Sequence, residues 1–211
     1  MVFRPRVLAA LLTALAVWPP ASAQTPLSST PPAPAQTAAN APRVAAVRVQ
    51  LPGVPQFAAV STQLYRGAQP KDSGFTELKK LEIGIVVNLR HEPDQIARER
   101  SLVEQQGMQY VSIAWRGKQN PTTGQVALFL NLLRTNPDTK VFVHCERGAE
   151  RTGVMVACYR ISKERWTADQ ALNEMEAFRF RGLRFGHLKK FVRTFPTLLL
   201  TDPFLKTLGQ P

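Results

Sequence analysis

Residues 141–153 read Val-Phe-Val-His-Cys-Glu-Arg-Gly-Ala-Glu-Arg-Thr-Gly. Lys140 and the apolar run behind it have the β-branched and aromatic character of a strand covered on both faces. From Thr152 to Ile161 the pattern changes to that of an apolar helix. A short polar loop, Glu146 to Arg151, joins them. A buried strand that runs through a tight loop into a buried helix is the repeating unit of a sheet packed by helices.

The flanking sequence repeats this alternation. Leu64-Tyr65-Arg66-Gly67 reads as an opening strand, with a turn at Gln69-Pro70 and a helix from Phe75 to Leu81 that Asp72 or Ser73 could cap. Residues 83–89, IGIVVNL, form a second buried-strand candidate, followed by a polar loop over 90–94 and a helix over 95–106. Tyr110 to Trp115 is strand-like, and Val126 to Leu133 carries an apolar helical face after Pro121-Thr122-Thr123-Gly124. Residues 167–178, with Thr167 as N-cap, and 187–200 add two helices. No internal repeat is present. The expected fold is α/β, a central, mostly parallel sheet flanked by helices.

The chemistry concentrates in the loop. It can curl so that the backbone N–H groups of Glu146, Arg147, Gly148, Ala149, Glu150 and Arg151 converge on one oxyanion, helped by the positive end of the following helix. These six residues are the expected phosphate-binding set. The same field favours a thiolate at Cys145, which would make it the nucleophile. Arg151 offers a planar fork to two phosphate oxygens, and Thr152 can hydrogen-bond the sulfur when it departs. His144 would fix the loop through its ring nitrogens, and Gly148 and Gly153 permit tight turning.

His144, Cys145, Arg151, Thr152 and Gly153 match H-C-x5-R-[S/T]-G, so the chain resembles the protein tyrosine and dual-specificity phosphatase superfamily. Leu64-Tyr65-Arg66-Gly67-Ala68-Gln69-Pro70 and Val86-Val87-Asn88-Leu89-Arg90 look like the opening elements of its compact atypical members, in this case bacterial and exported. The resemblance implies attack by Cys145 on phosphorus, a phosphocysteine intermediate and hydrolysis by water, with no metal and no organic cofactor. It also implies a general-acid aspartate on the loop before the motif. The corresponding loop here, residues 116–125, holds no Asp or Glu. Glu150 is the preferred substitute, weighed against a simple ion pair with Arg147, and Glu92 and Asp94 are weaker candidates.

Residues 1–23 run from Arg4 and Arg6 through an apolar stretch to Ala21-Ser22-Ala23, the pattern of a cleaved secretory signal peptide. Residues 24–42 are rich in Pro, Ala, Ser and Thr and read as a linker, which leaves 43–211 as the phosphatase domain. The expected location is therefore exported, periplasmic or secreted. Removing the leader takes Arg4 and Arg6 but no acid, so the net charge falls from +12 to +10. A surface this basic suits anionic partners: a phosphorylated protein, an inositol phosphate or phosphoinositide substrate, or an anionic membrane surface. Arg116 and Lys118 in the loop over the site, and Arg179, Arg181, Arg184, Lys189, Lys190 and Arg193 near the C-terminus, are the cations positioned for such contacts.

Cys158 falls on an apolar helical face and reads as packing, while His91 and His187 lack metal-ligand spacing. Two other readings compete. A rhodanese-like sulfurtransferase also places a cysteine in an anion-binding loop, but not with this Cys-to-Arg step followed by Thr-Gly. An impaired phosphate-binding module (a pseudophosphatase) would explain the missing aspartate, and the intact Cys145 argues against it. No interleaving of aromatic and basic residues marks a specific nucleic-acid site.

Overall fold

The computed structural model describes residues 44–208; the leader, the whole linker, Arg43 and the last three residues lie outside them. The elements, in chain order, are β1 (Ala58–Ala59), β2 (Leu64–Ala68), α1 (Asp72–Lys80), β3 (Ile83–Asn88), α2 (Pro93–Gln105), β4 (Gln109–Ser112), α3 (Thr123–Thr135), β5 (Lys140–Cys145), α4 (Glu150–Lys163), α5 (Ala168–Ala177) and α6 (Gly186–Thr201). The sheet order is β1-β2-β5-β3-β4. β2, β5, β3 and β4 are mutually parallel, and the two-residue β1 is antiparallel to β2. The α/β fold expected from the alternation is the fold observed.

β5 is central because it can afford no exposed face. Its side chains alternate between two apolar cores, as the pleat requires. Val141, Val143 and Cys145 join the core built with α3 to α6, whereas Phe142 joins the core beneath α1 and α2. Burying each such side chain contributes on the order of 1.5–3 kcal/mol. The strand lies between β2 and β3, with Ala68 opposite Cys145 and Asn88 opposite His144. Its carboxyl end therefore opens into a crevice between two other strand ends.

Several details differ from the sequence reading. Neither Asp72 nor Ser73 caps α1: Lys71 takes the N-cap position with no side-chain bond, and Asp72 is the first helical residue. α2 begins at Pro93, inside the expected loop, because a proline at the first helical position loses no hydrogen bond there. β4 ends at Ser112 rather than Trp115; Ile113 donates one more bond to the Asn88 carbonyl, and Ile113 and Trp115 turn into the core. β1 had no sequence signal, since two alanines carry no strand pattern. Thr167 does cap α5, and Thr122 caps α3, each in a reciprocal capping box with the glutamine three residues on.

Candidate active site

Cys145 ends β5 and Glu150 begins α4, so the loop between them spans four residues. Gly148 makes the turn with φ +67°, and a Cβ there would stand 2.5 Å from the Gly67 carbonyl oxygen. Only glycine fits both the backbone angle and the space.

Three consecutive loop carbonyls are tied outward. The Gln69 amide donates to Glu146 O (3.2 Å), Gln56 Nε2 to Arg147 O (3.0 Å) and Arg66 Nη2 to Gly148 O (2.9 Å). Across a trans peptide the carbonyl and the next N–H point in opposite directions. Fixing the carbonyls outward thus turns the N–H groups of Arg147, Gly148 and Ala149 inward. Among the described residues no hydrogen bond uses the amide N–H of Glu146 to Arg151. Together with the N-terminus of α4, they form a concave set of donors suited to an anion.

Arg151 enters the same space from the first turn of α4. Its Nη1 donates to the Leu89 and Trp115 carbonyls, at 3.1 and 3.3 Å. That anchoring leaves the Nε–Nη2 edge, the bidentate edge, turned to the cleft; its nearest acid is Glu146, at 3.9 Å from Nη2. The cleft itself is about 250 Å³ and is lined by Cys145, Arg151, Glu146, Arg147 and Glu150, with Gly117, Lys118, Arg181 and Phe185 at its rim. The expected phosphate-binding residues and the nucleophile candidate are therefore brought together, and Lys118 joins them from the loop that was expected to close over the site. Arg116 is exposed and does not line the cleft.

Two expectations change. Thr152 Oγ1 is buried and has no hydrogen-bond partner, so it does not hold the Cys145 sulfur in this state but remains an unused donor beside the loop. Glu150 is buried and paired with both Arg147 and Arg181. It lines the cleft, and its carboxylate is paired with two guanidinium groups, the arrangement that the sequence reading weighed against a general acid. Glu92 is bonded to Arg90, and neither it nor Asp94 lines the cleft.

Residues that the sequence reading passed over support the site from below. Arg66 lies on the same face of the sheet as Cys145, since its strand partner is Val143 and that of Ala68 is Cys145. Its guanidinium is fully buried, stacks 3.7 Å over the Phe178 ring and uses its one hydrogen bond on the Gly148 carbonyl. Burial pushes it down to about 10, against the pull of Glu174 and Cys145, and it is still a cation at neutral pH. On the other face, His144 Nε2 meets Glu99 Oε1 at 2.7 Å, and Glu99 in turn accepts from Gln69 Nε2 at 2.6 Å. His144 thus fixes the loop through Glu99 rather than through the loop's own atoms, apart from a long 3.4 Å contact to the Cys145 carbonyl. A polar residue on an amphipathic helix, such as Glu99, gives no sequence sign of a buried partner. Arg66, at a strand position otherwise expected to be apolar, was the one legible clue.

Cys158 is fully buried in the core, burial pushes its thiol well up, and both cysteines are free. His91 lies beside Glu92, and His187 packs near Phe185.

The family described as DSP-PTPase phosphatase fused to NAD+ kinase matches residues 39–193. The chain belongs to this family. It is a cysteine-dependent phosphatase of the tyrosine and dual-specificity class. Among its relatives, a Dictyostelium discoideum protein named "Probable tyrosine-protein phosphatase DG1060" is 28% identical over 69% of this chain and 88% of its own length. Inositol diphosphatase DSP5 of Arabidopsis thaliana is 29% identical over 62% of this chain and 68% of its own. The structure of Pseudomonas aeruginosa TpbA in complex with phosphotyrosine superposes with a TM-score of 0.62 at 22% identity, covering 77% of this phosphatase and 99% of that chain. At that identity the superposition speaks for the shared fold alone.

Proposed function

We propose that this phosphatase hydrolyses phosphate monoesters with Cys145 as nucleophile and the 146–151 loop as the phosphate cradle. The observation that carries this reading is the outward tethering of the Glu146, Arg147 and Gly148 carbonyls, which presents N–H groups beside the sulfur. The Cys145 Sγ attacks phosphorus as the ester P–O bond breaks. Arg151, through its free Nε–Nη2 edge, and the loop amides hold the three equatorial oxygens as their charge develops. Water then attacks the phosphocysteine, the S–P bond breaks, and the unused Thr152 hydroxyl turns to the returning thiolate. Phosphotyrosine, phosphoserine or phosphothreonine residues, or inositol phosphates and phosphoinositides, are the substrates in range, a reading supported by the relatives named for such activities.

Glu150 is tied to two arginines and so is not free to protonate the leaving oxygen, and the other acid lining the cleft, Glu146, is exposed and lies 3.9 Å from Arg151 Nη2. Esters with good leaving groups are the favoured substrates, and Glu150→Gln slows aryl and alkyl phosphates to the same degree. A selective loss with alkyl phosphates, measured in steady state, would restore Glu150 as general acid. The compact atypical type is supported by the Leu64 to Pro70 segment and the short connections around the sheet. Export beyond the cytoplasm is supported by the leader pattern of residues 1–23.

The deciding experiment is phosphate release by the mature chain, with a chelator present, beside a Cys145→Ser control. Turnover that survives chelation and vanishes in the variant is the expected result. Phosphate-dependent binding without turnover would instead support the impaired binding module.

A further inference from the structure

A second cleft, of about 450 Å³, adjoins the first and shares Glu146, Arg147 and Arg181 with it. Arg179 and Gln56 line its far side, and the same two residues line a third, larger cavity of about 760 Å³ beneath residues 48–56. That cavity adds Arg48 and Lys71 and contains no carboxylate. The three spaces follow one another from Cys145 as a furrow, each sharing lining residues with the next. Seven cations line it against two acids, Glu146 and Glu150.

The basic residues differ in how they are partnered. On the side turned away from the furrow, Lys189 pairs with Glu176 at 3.5 Å and Arg193 with Asp169 at 3.3 Å. On the furrow side, the side chains of Arg179 and Lys71 have no hydrogen-bond or ion-pair partner among the described residues. Arg179 also occupies a demanding position. It follows α5 with φ +65°, where glycine is the usual residue, and its amide closes the helix on the Glu176 carbonyl at 3.0 Å. An unpaired guanidinium is thereby held at a fixed backbone point at the junction of two cavities.

We propose that the furrow beside the catalytic loop is a second anion subsite, anchored by Arg179 with Arg181 and Arg147, that takes a further phosphate group of a compact, polyphosphorylated molecule whose first phosphate lies against Cys145. The proposal rests on the Cys145 reading for the position of that first phosphate. Arg147 and Arg181 already share the Glu150 carboxylate, so they lend partial charge to both clefts, while Arg179 supplies the unshared charge. A guanidinium fork can hold a phosphate through bidentate contacts.

The test compares two inhibitors of aryl phosphate hydrolysis: orthophosphate, which fills only the cradle, and inositol hexakisphosphate, which can reach both sites. The variants are Arg179→Glu and, as a control of equal charge change on the paired side, Arg193→Glu. The expected result is that Arg179→Glu reduces the preference for hexakisphosphate over orthophosphate at least about tenfold, the effect of losing one charge-assisted contact and gaining a repulsion. Arg193→Glu leaves that preference within about twofold, as expected for a screened surface charge. Equal losses in both variants, or none in either, would overturn the subsite. If the wild-type chain hydrolyses no aryl phosphate, the Cys145 reading fails, and calorimetric titration of hexakisphosphate into the same three proteins still decides the subsite.

Discussion

Two arginines lie buried in the same core, both within reach of Glu174, and they are treated in opposite ways. Arg160 on α4 holds Glu174 with two bonds, Nη2 to Oε1 at 2.7 Å and Nε to Oε2 at 3.2 Å; it also pairs with Glu164 and stacks 4.4 Å over Trp166. Burial alone would pull its guanidinium down, but the bonds and charges of Glu174 and Glu164 outweigh it and the net direction is upward. Arg66 on β2 has a single hydrogen bond, to the Gly148 carbonyl, and its Nε and Nη1 have no partner. For Arg66 burial wins. Burial by itself therefore does not define what a buried charge is for. Arg160 is satisfied locally and ties α4 to α5. Arg66 leaves most of its field unspent beneath the loop, where the one bond it makes turns a peptide toward the phosphate cradle.

Removing one partner of the satisfied pair has the largest expected effect. Arg160→Ala strands Glu174 in the core and lowers stability by about 3–5 kcal/mol in urea denaturation. Arg160→Met combined with Glu174→Leu recovers most of that loss, because an apolar pair of similar volume leaves no buried charge behind. A small effect of the single variant would break the contrast.

Arg66→Met is expected to do the reverse. Stability changes by no more than about 1 kcal/mol, since an under-partnered buried cation is replaced by apolar volume. In the same protein kcat/KM for an aryl phosphate falls about tenfold and orthophosphate inhibits more weakly, the cost of losing one positioning hydrogen bond to the loop. A variant that is strongly destabilised but fully active per folded molecule would make Arg66 another Arg160.

The smallest effect sets the baseline. Lys140 and Glu82 meet at 2.7 Å at the surface, where the Glu82 side chain is 81% exposed. The Lys140 bond holds the Glu82 carboxyl below its ordinary range. Its contribution is thus present above the unfolded carboxylate range and fades as pH falls through the folded value. Glu82→Gln should leave the denaturation midpoint at neutral pH within error, as exposed pairs generally do.

The same contrast explains what the sequence could disclose. Val141 to Gly153 announced strand, loop and helix together, because burial on both faces leaves an unbroken apolar run and the loop residues are adjacent in the chain. The tethers of the loop are not adjacent. Gln56, Arg66 and Gln69 act on carbonyls about eighty or ninety positions away, and only the tertiary fold places them there. Glu99 meets His144 for the same reason. Glu150 was placed correctly in the cleft, but its arginine partners decide its role, and one of them, Arg181, comes from beyond α5.

The strand order also bears on how the molecule assembles. β2 and β3 are neighbours in the chain but not in the sheet, because β5 lies between them. Until β5 arrives, the two earlier strands flank an empty slot, and the first β2–β5 pair joins Leu64 to Val141. Such long-range closure is slow relative to hairpins and helices. The strand that completes the sheet also carries Cys145 at its end, so no intermediate lacking that last pairing can hold a formed cradle. Formation of the cradle therefore requires the hydrogen-bonded sheet to be complete, and a chain interrupted before Cys145 would have neither.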